Sequence, residues 1–264
     1  MTAQEHGERH RAGFGPSGPS GADASGGGRP SEAPGTVTTP EWLASLARAG
    51  ARMPVPSVMR PPESGGRRSA VLILFGEGEH GPDVLLIQRN NGLRRHSGQP
   101  AFPGGSFEPG DEGPEDCAVR EAVEETGVDP VGIELLGRLP ELFIRPSAFR
   151  VTPVMAWWRE PSEVRAADAG EVAGVVRVPV SELADPANRI RARHPNGSSG
   201  PAFRVHGMLV WGFTAAILDR LLVLGGWERP WLDGQEAEPV ALPGGGTGED
   251  VRRAAGPGRE GRGS

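Results

Sequence analysis

From Asp111 the chain reads DEGPEDCAVREAVEETG, and no other run constrains the fold as strongly. Pro114 stands where a helix tolerates a residue without an N–H. Glu115 and Asp116 follow in the first turn, where acids meet the positive end of the helix dipole, and Gly127 supplies a stop. The spacing predicts a helix from about Pro114 to Thr126. At about 100° per residue, Val119, Ala122, Val123 and Thr126 fall on one side, and Glu121, Glu124 and Glu125 on the other. One face is expected to pack and the other to gather carboxylates. Like charges three and four positions apart repel by roughly a few tenths of a kcal/mol per pair. A divalent cation would remove that repulsion: Mg²⁺ or Mn²⁺ takes oxygen ligands, keeps waters and completes its shell with substrate phosphates.

Around this helix the chain reads as strands. SAVLILFGE (69–77) and DVLLIQR (83–89) are apolar runs separated by GEHGP, the pattern of an antiparallel hairpin. Downstream, IELLGRLPEL (133–142), FRVTPVMAWW (149–158) and EVAGVVRVPV (171–180) read as further strands, the first interrupted by Gly137 and Pro140. A short amphipathic helix is expected over TTPEWLASLARAG (38–50), with Thr39 as N-cap, Pro40 at the first helical position and Gly50 as stop. A last helix is expected from Met208 to Leu224. Strands on both sides of a central helix, with helices near each end, predict an α/β/α sandwich around a mixed β-sheet.

The 41 Gly and 27 Pro are concentrated at the two ends. Residues 1–38 and 234–264 carry too few apolar side chains to offset the entropy of ordering, so both are expected to be disordered tails. The folded domain is expected over residues 39–233, about 190 residues and enough for one core. A formal charge of −6 argues against a nonspecific nucleic-acid binder, which needs a basic face. All 28 basic residues are Arg, a bias of genome composition rather than of any site. The lone Cys117 offers no internal disulfide, and there is no apolar run long enough for a membrane span and no secretion signal. The expectation is a cytoplasmic protein with no membrane or nucleic-acid partner, for which a homodimer is admissible.

An acid-rich helix alone is usually solvated surface. Here Arg120 sits beside Glu121, and a glycine-rich approach, FPGG, ends at Gly105. Glycines before such a helix let the backbone turn sharply and come close to a ligand. The run resembles the Nudix box: Gly, five residues, Glu, seven residues, Arg-Glu, an apolar residue, any residue, Glu-Glu, any residue, Gly, an apolar residue. From Glu112 through Arg120 to Val128 the match is complete. Upstream it departs, because six residues separate Gly105 from Glu112 and the forward count lands on Asp111. Either acid can hold the first position.

A second motif lies just ahead. Leu85, Leu86, Arg89, Arg94, Gly98, Phe102, Pro103, Gly104 and Gly105 resemble the signature of coenzyme A pyrophosphatases within the Nudix superfamily, with departures at Ile87 and Asn90. The longer spacer after Gly105 is similar to that subfamily too. The resemblance implies the Nudix fold and metal-dependent hydrolysis of coenzyme A, or its acyl derivatives, to 3′,5′-ADP and 4′-phosphopantetheine. It implies Mg²⁺ or Mn²⁺ on Glu121, Glu124 and Glu125 with Glu112 or Asp111. Arg120 would hold the box in shape, and Arg89, Arg94, Arg95, Gly104 and Gly105 would face the substrate. Read physically, Arg89, Arg94, Arg95 and His96 gather positive charge at the mouth of an acidic site, and Arg forks suit phosphate oxygens. His96 is expected as a hydrogen-bonding loop residue, and Trp157, Trp158 and Trp211 as packing. The general base stays open between the box and Glu163, Asp168 or Glu171. The rival readings are hydrolysis of another nucleoside diphosphate derivative, such as ADP-ribose, NADH or a dinucleoside polyphosphate, and a noncatalytic nucleotide-binding module.

Overall fold

Side chains alternate along the central strands, and that alternation builds three layers. The computed structural model describes residues 38–90, 98–145, 147–193, 199–231 and 238–239. On β1 (Arg67–Gly78), Ala70, Leu72 and Leu74 enter one core while Ile73 and Phe75 enter another. On β2 (Gly81–Arg89), Leu85 joins the first and Val84 and Leu86 the second. On β7 (Phe149–Trp158), Val154, Ala156 and Trp158 oppose Met155 and Trp157 in the same way. Strands buried on both faces read as continuous apolar runs, which is why the sequence reveals them.

The first core is covered by α2 (Pro114–Thr126). The second is covered by α1 (Glu41–Gly50) and α4 (Gly212–Leu224), through Leu43, Leu46, Ile217, Leu218 and Leu221. β1 and β2 form the predicted hairpin, closing with Gly78 opposite Gly81. β1 runs parallel to β7 from Arg67↔Phe149 to Phe75↔Trp157. Antiparallel to these lie β3 (Pro100–Ala101) on β2, β4 (Gly104–Ser106) on β1, and β5 (Ile133–Arg138) and β6 (Leu142–Ile144) on β7. β8 (Val172–Pro179) also runs antiparallel to β2. The sheet is therefore mixed, and the architecture is the α/β/α sandwich expected. Gly137 marks a register shift in β5, and the chain passes Pro140 before β6, as the interruption implied.

Four expectations change. Pro40 holds the N-cap position of α1, and Thr39 lies outside it, donating its hydroxyl to Glu134 Oε1 at 2.5 Å. Pro179 ends β8, and Val180 opens a short helix, α3 (Val180–Ala184), which buries Val180 and Leu183. The helix expected from Met208 begins only at Gly212, because Met208–Val210 is a strand, β11. His206 (φ 50°) and Gly207 (φ 71°) turn the chain so that Val205 pairs with Met208, the backbone a tight hairpin needs. β11 belongs to a second sheet that the sequence did not suggest. It is ordered β11, β10 (Ser199–Val205), β9 (Arg189–Arg193) and β12 (Glu238–Pro239). β12 falls within the segment read as a C-terminal tail and pairs parallel to β9. The rest of that segment, and residues 1–37, lie outside the described residues.

Candidate active site

α2 packs through its small residues. Cys117, Ala118, Ala122 and Thr126 are buried, and the two alanines bring the helix close to Ala70, Leu72 and Leu74. The thiol of Cys117, desolvated there, is pushed up to about 11. Val119 and Val123, expected at the centre of the packing face, are only partly buried. They flank a groove of about 480 Å³ on the outer side of α2, with Ile133 and Leu135 across from them. The helix is rotated from the expected orientation because alanine allows closer backbone approach than valine. That rotation carries Glu125 inward.

Glu125 is 3% exposed. The Gly104 N–H donates to its Oε2 at 2.9 Å, and Arg89 Nη1 lies 3.4 Å from its Oε1. Burial outweighs both contacts and pushes its carboxyl up to about 8. Glu121, one turn earlier, is raised mainly by burial as well, against the lowering effect of Arg120. Two glycines allow the close approaches made here. A Cβ on Gly105 would stand 2.3–2.5 Å from the carboxylate atoms of Glu121, and one on Gly104 would stand 2.4 Å from the Ala70 carbonyl oxygen. Here β4 runs against β1 with Gly105 opposite Ala70 and Gly104 opposite Val71. The close approach inferred from FPGG is thus made to the protein's own strand and carboxylate.

Glu124 points the other way and is 56% exposed at its side chain. Arg120 gathers the loop ahead of the helix. Its Nε and Nη2 each lie 3.1 Å from the two Asp111 carboxylate oxygens, and Nη2 donates to the Ser106 carbonyl at 3.0 Å. Its Nη1 reaches Glu121 and Glu124 at 3.1 and 3.0 Å. The Arg120 guanidinium holds the Asp111 carboxyl below the usual carboxylate range, and Asp111 also accepts from the Glu108 N–H at 2.8 Å. Of the two acids left open by the spacer, Asp111 is committed to Arg120 and Glu112 is exposed.

The connection from β7 to β8 completes the surroundings. It docks on the C-terminal end of α2, where helix carbonyls need donors: Arg165 N–H donates to the Thr126 carbonyl at 3.0 Å and Ala167 N–H to the Glu125 carbonyl at 3.1 Å. Asp168 then closes a turn, its Oδ1 accepting from Gly170 N–H at 2.8 Å. That turn delivers Glu171 to Arg89, whose Nη2 lies 3.4 Å from Glu171 Oε2. The charge of Glu171 raises both Glu121 and Glu125, so of the three later acids it is the one brought toward the pair. Glu163 is exposed, and Asp168 is used by its turn.

Arg94, Arg95 and His96 lie outside the described residues. Trp157 and Trp158 are buried in the cores, and Trp211 packs against the small cluster of Ile190, Ala192 and Ala202. Among the described residues no three His, Cys, Asp or Glu side chains form a preformed metal cage. The donors available nevertheless suit a hard cation: Glu121 and Glu125 offer oxygen from adjacent turns, and both are raised mainly by burial, a cost that a bound cation would offset. An open oxygen site is what Mg²⁺ uses, with waters and substrate phosphates filling its shell.

The NUDIX domain family model matches residues 66–196. The uncharacterized Nudix hydrolase NudL of Citrobacter koseri is 35% identical over 174 residues, which cover 62% of this chain and 88% of that protein. The chain belongs to the Nudix hydrolase family. Nudix hydrolase 15, mitochondrial, of Arabidopsis thaliana is 32% identical over 62% of this chain and 60% of its own length. The crystal structure of RenU, a Nudix hydrolase from M. smegmatis, covers 67% of this chain and 99% of that one at 20% identity and a TM-score of 0.45. As a Nudix hydrolase the protein acts on pyrophosphate bonds of nucleoside diphosphate derivatives, and such enzymes generally use divalent ions such as Mg²⁺ or Mn²⁺. Among the described residues no helix is long and apolar enough to cross a membrane.

Proposed function

We propose that this Nudix hydrolase cleaves coenzyme A, or its acyl derivatives, to 3′,5′-ADP and 4′-phosphopantetheine. One observation carries the reading. The two ends of the signature loop, Arg89 and Gly104, touch the same carboxylate, Glu125, at 3.4 and 2.9 Å. The described ends of that loop are therefore both tied to the acidic site, and by the resemblance of the motif Arg94 and Arg95 would supply the positive charge for a substrate bound there. Coenzyme A carries a pyrophosphate and a separate 3′-phosphate, so carboxylate-held metal for the first and Arg for the second make a complementary pair.

Glu121 and Glu125 would hold the cation, with Glu124 at the rim and Glu112, the acid not committed to Arg120, as a further oxygen donor. When bound, Mg²⁺ or Mn²⁺ would neutralise the pyrophosphate and lower the pKa of the attacking water. Arg120 holds the loop from Ser106 to Asp111 onto α2. Gly105 leaves the space that the Glu121 carboxylate occupies, Gly104 lets β4 close on β1 and gives its N–H to Glu125, and the proton released by water passes to a site carboxylate. Water adds across one P–O–P bond, its oxygen to one phosphorus and its protons to the two phosphate products.

The test incubates purified protein and Mg²⁺ or Mn²⁺ with coenzyme A, acetyl-coenzyme A, NADH, ADP-ribose and diadenosine tetraphosphate, and identifies products by mass. Release of 3′,5′-ADP from the coenzyme A substrates ahead of cleavage of the others is expected. Intact coenzyme A beside cleaved ADP-ribose would overturn the assignment.

A further inference from the structure

The sequence groups Arg89 with the phosphate-binding arginines, but its guanidinium is engaged on both edges. Nη1 faces Glu125 Oε1 and Nη2 faces Glu171 Oε2, each at 3.4 Å, with 23% of the side chain exposed. The next residue reinforces the contact. Asn90 donates its N–H to the Glu171 carbonyl at 2.7 Å and its side-chain amide to the Ala169 carbonyl at 2.8 Å. The pairing of β2 with β8 shifts register between Gln88 and Arg89 and ends at Arg89↔Val172, beside these two carboxylates. The end of β2 is thus a clamp with one jaw on α2 and the other on the residue preceding β8.

We propose that Arg89 is a positioning residue, which bridges Glu125 and Glu171 and holds Glu171 against the carboxylate pair without contacting the substrate's phosphates. The inference rests on the hydrolase reading of the site. Without the guanidinium nothing bridges Glu125 and Glu171, and wherever these acids are ionised their like charges repel. Glu171, with 52% of its side chain exposed, is free to turn into solvent. Lysine restores the charge but presents one ammonium where arginine presents two separate edges, so it cannot grip both carboxylates equally.

The experiment measures kcat and KM for wild type, Arg89→Ala, Arg89→Lys, Glu171→Gln and the double variant Arg89→Ala/Glu171→Gln. The substrate is the member of the panel above that is cleaved fastest, and each variant's melting temperature is recorded. Arg89→Ala is expected to lower kcat by about 10–100-fold, the scale for outer-shell residues of metal sites, and to leave KM within about threefold. Arg89→Lys should recover part of kcat. The double variant should lose no more than about the larger single loss, because both changes break one interaction. If Arg89→Ala fails to fold, Arg89→Lys combined with Glu171→Gln supplies the same cycle. A KM rise of about tenfold or more at preserved kcat would mark a substrate contact and overturn the inference alone, as would losses that multiply in the double variant. Absence of cleavage of every panel member by the wild-type chain would instead overturn the hydrolase reading on which it rests.

Discussion

Glu124 and Glu125 are neighbours in sequence with identical side chains, and they occupy opposite environments. The inner edge of α2 presents Glu121 and Glu125 to the glycine turn, desolvated and raised, while the outer edge presents Glu124 to solvent beside Arg120 and the groove formed by Val119, Val123 and Leu135. A helix turns 100° per residue, so consecutive acids on it face different surroundings. Arg120 reaches one acid of each edge, Glu121 at 3.1 Å and Glu124 at 3.0 Å, so the edges differ in burial: the inner pair is desolvated, a cost that a cation would relieve, and the outer acid stands in water.

The comparison is most directly broken by substituting each acid in turn. Glu125→Gln should lower kcat by on the order of 10³-fold, about 4 kcal/mol of transition-state stabilisation, whereas Glu124→Gln should cost about tenfold. Steady-state kinetics at saturating Mg²⁺ check this, and equal losses would erase the distinction between the edges. Gly105→Ala probes the space kept for Glu121. A methyl group placed 2.3–2.5 Å from that carboxylate forces it aside, so activity should fall by about 10–100-fold and stability by about 1–3 kcal/mol. Kinetics and urea unfolding read the two effects separately.

The last test reads stability instead of turnover, as a pH dependence. The Glu125 carboxyl ionises near 8 in the fold against an ordinary 4.5, so the folded state binds its proton more tightly than the unfolded chain does. Its contribution to stability is complete below about pH 4.5 and is lost as pH rises to about 8. In metal-free protein the wild-type melting temperature should therefore fall relative to Glu125→Gln across that window, and saturating Mn²⁺ should remove the difference. A constant gap between the two across the window would show that Glu125 is not held in a desolvated state.

Much of this arrangement was legible before any coordinates. β1, β2 and β7 are apolar on both faces and bounded by turn residues, and Pro114 and Gly127 frame α2 at the residues observed. The acids themselves were legible through their spacing. Their orientation was not, because Val119 and Val123 carry the stronger hydrophobic signal, whereas close packing selected Ala118 and Ala122. The second sheet escaped for a different reason. RIRAR alternates over only five residues, with alanine as one of its two apolar positions, and SGPAFRV has neither a long apolar run nor clean alternation, so their strand character is completed by pairing with each other. The His206–Gly207 dipeptide was a further local sign of it. The approach of Glu171 depends on hydrogen bonds made by residues 165–171 to the end of α2 and the end of β2, contacts distant in sequence that no local pattern encodes.

The double anchoring of the loop between Arg89 and Gly104 also bears on how such an enzyme diverges. Both fixed points lie on one carboxylate, and Asn90 on one side and β3 with Phe102 on the other belong to the anchors, so only the positions between Asn90 and Gly98 can change in number or charge without moving the hydrolytic centre. Doubling a loop's length costs only about 0.6 kcal/mol of closure entropy. Selection can therefore rewrite what is recognised while inheriting how it is cut, and new substrate preferences can arise by insertion and point change within that one short stretch rather than by rebuilding the fold.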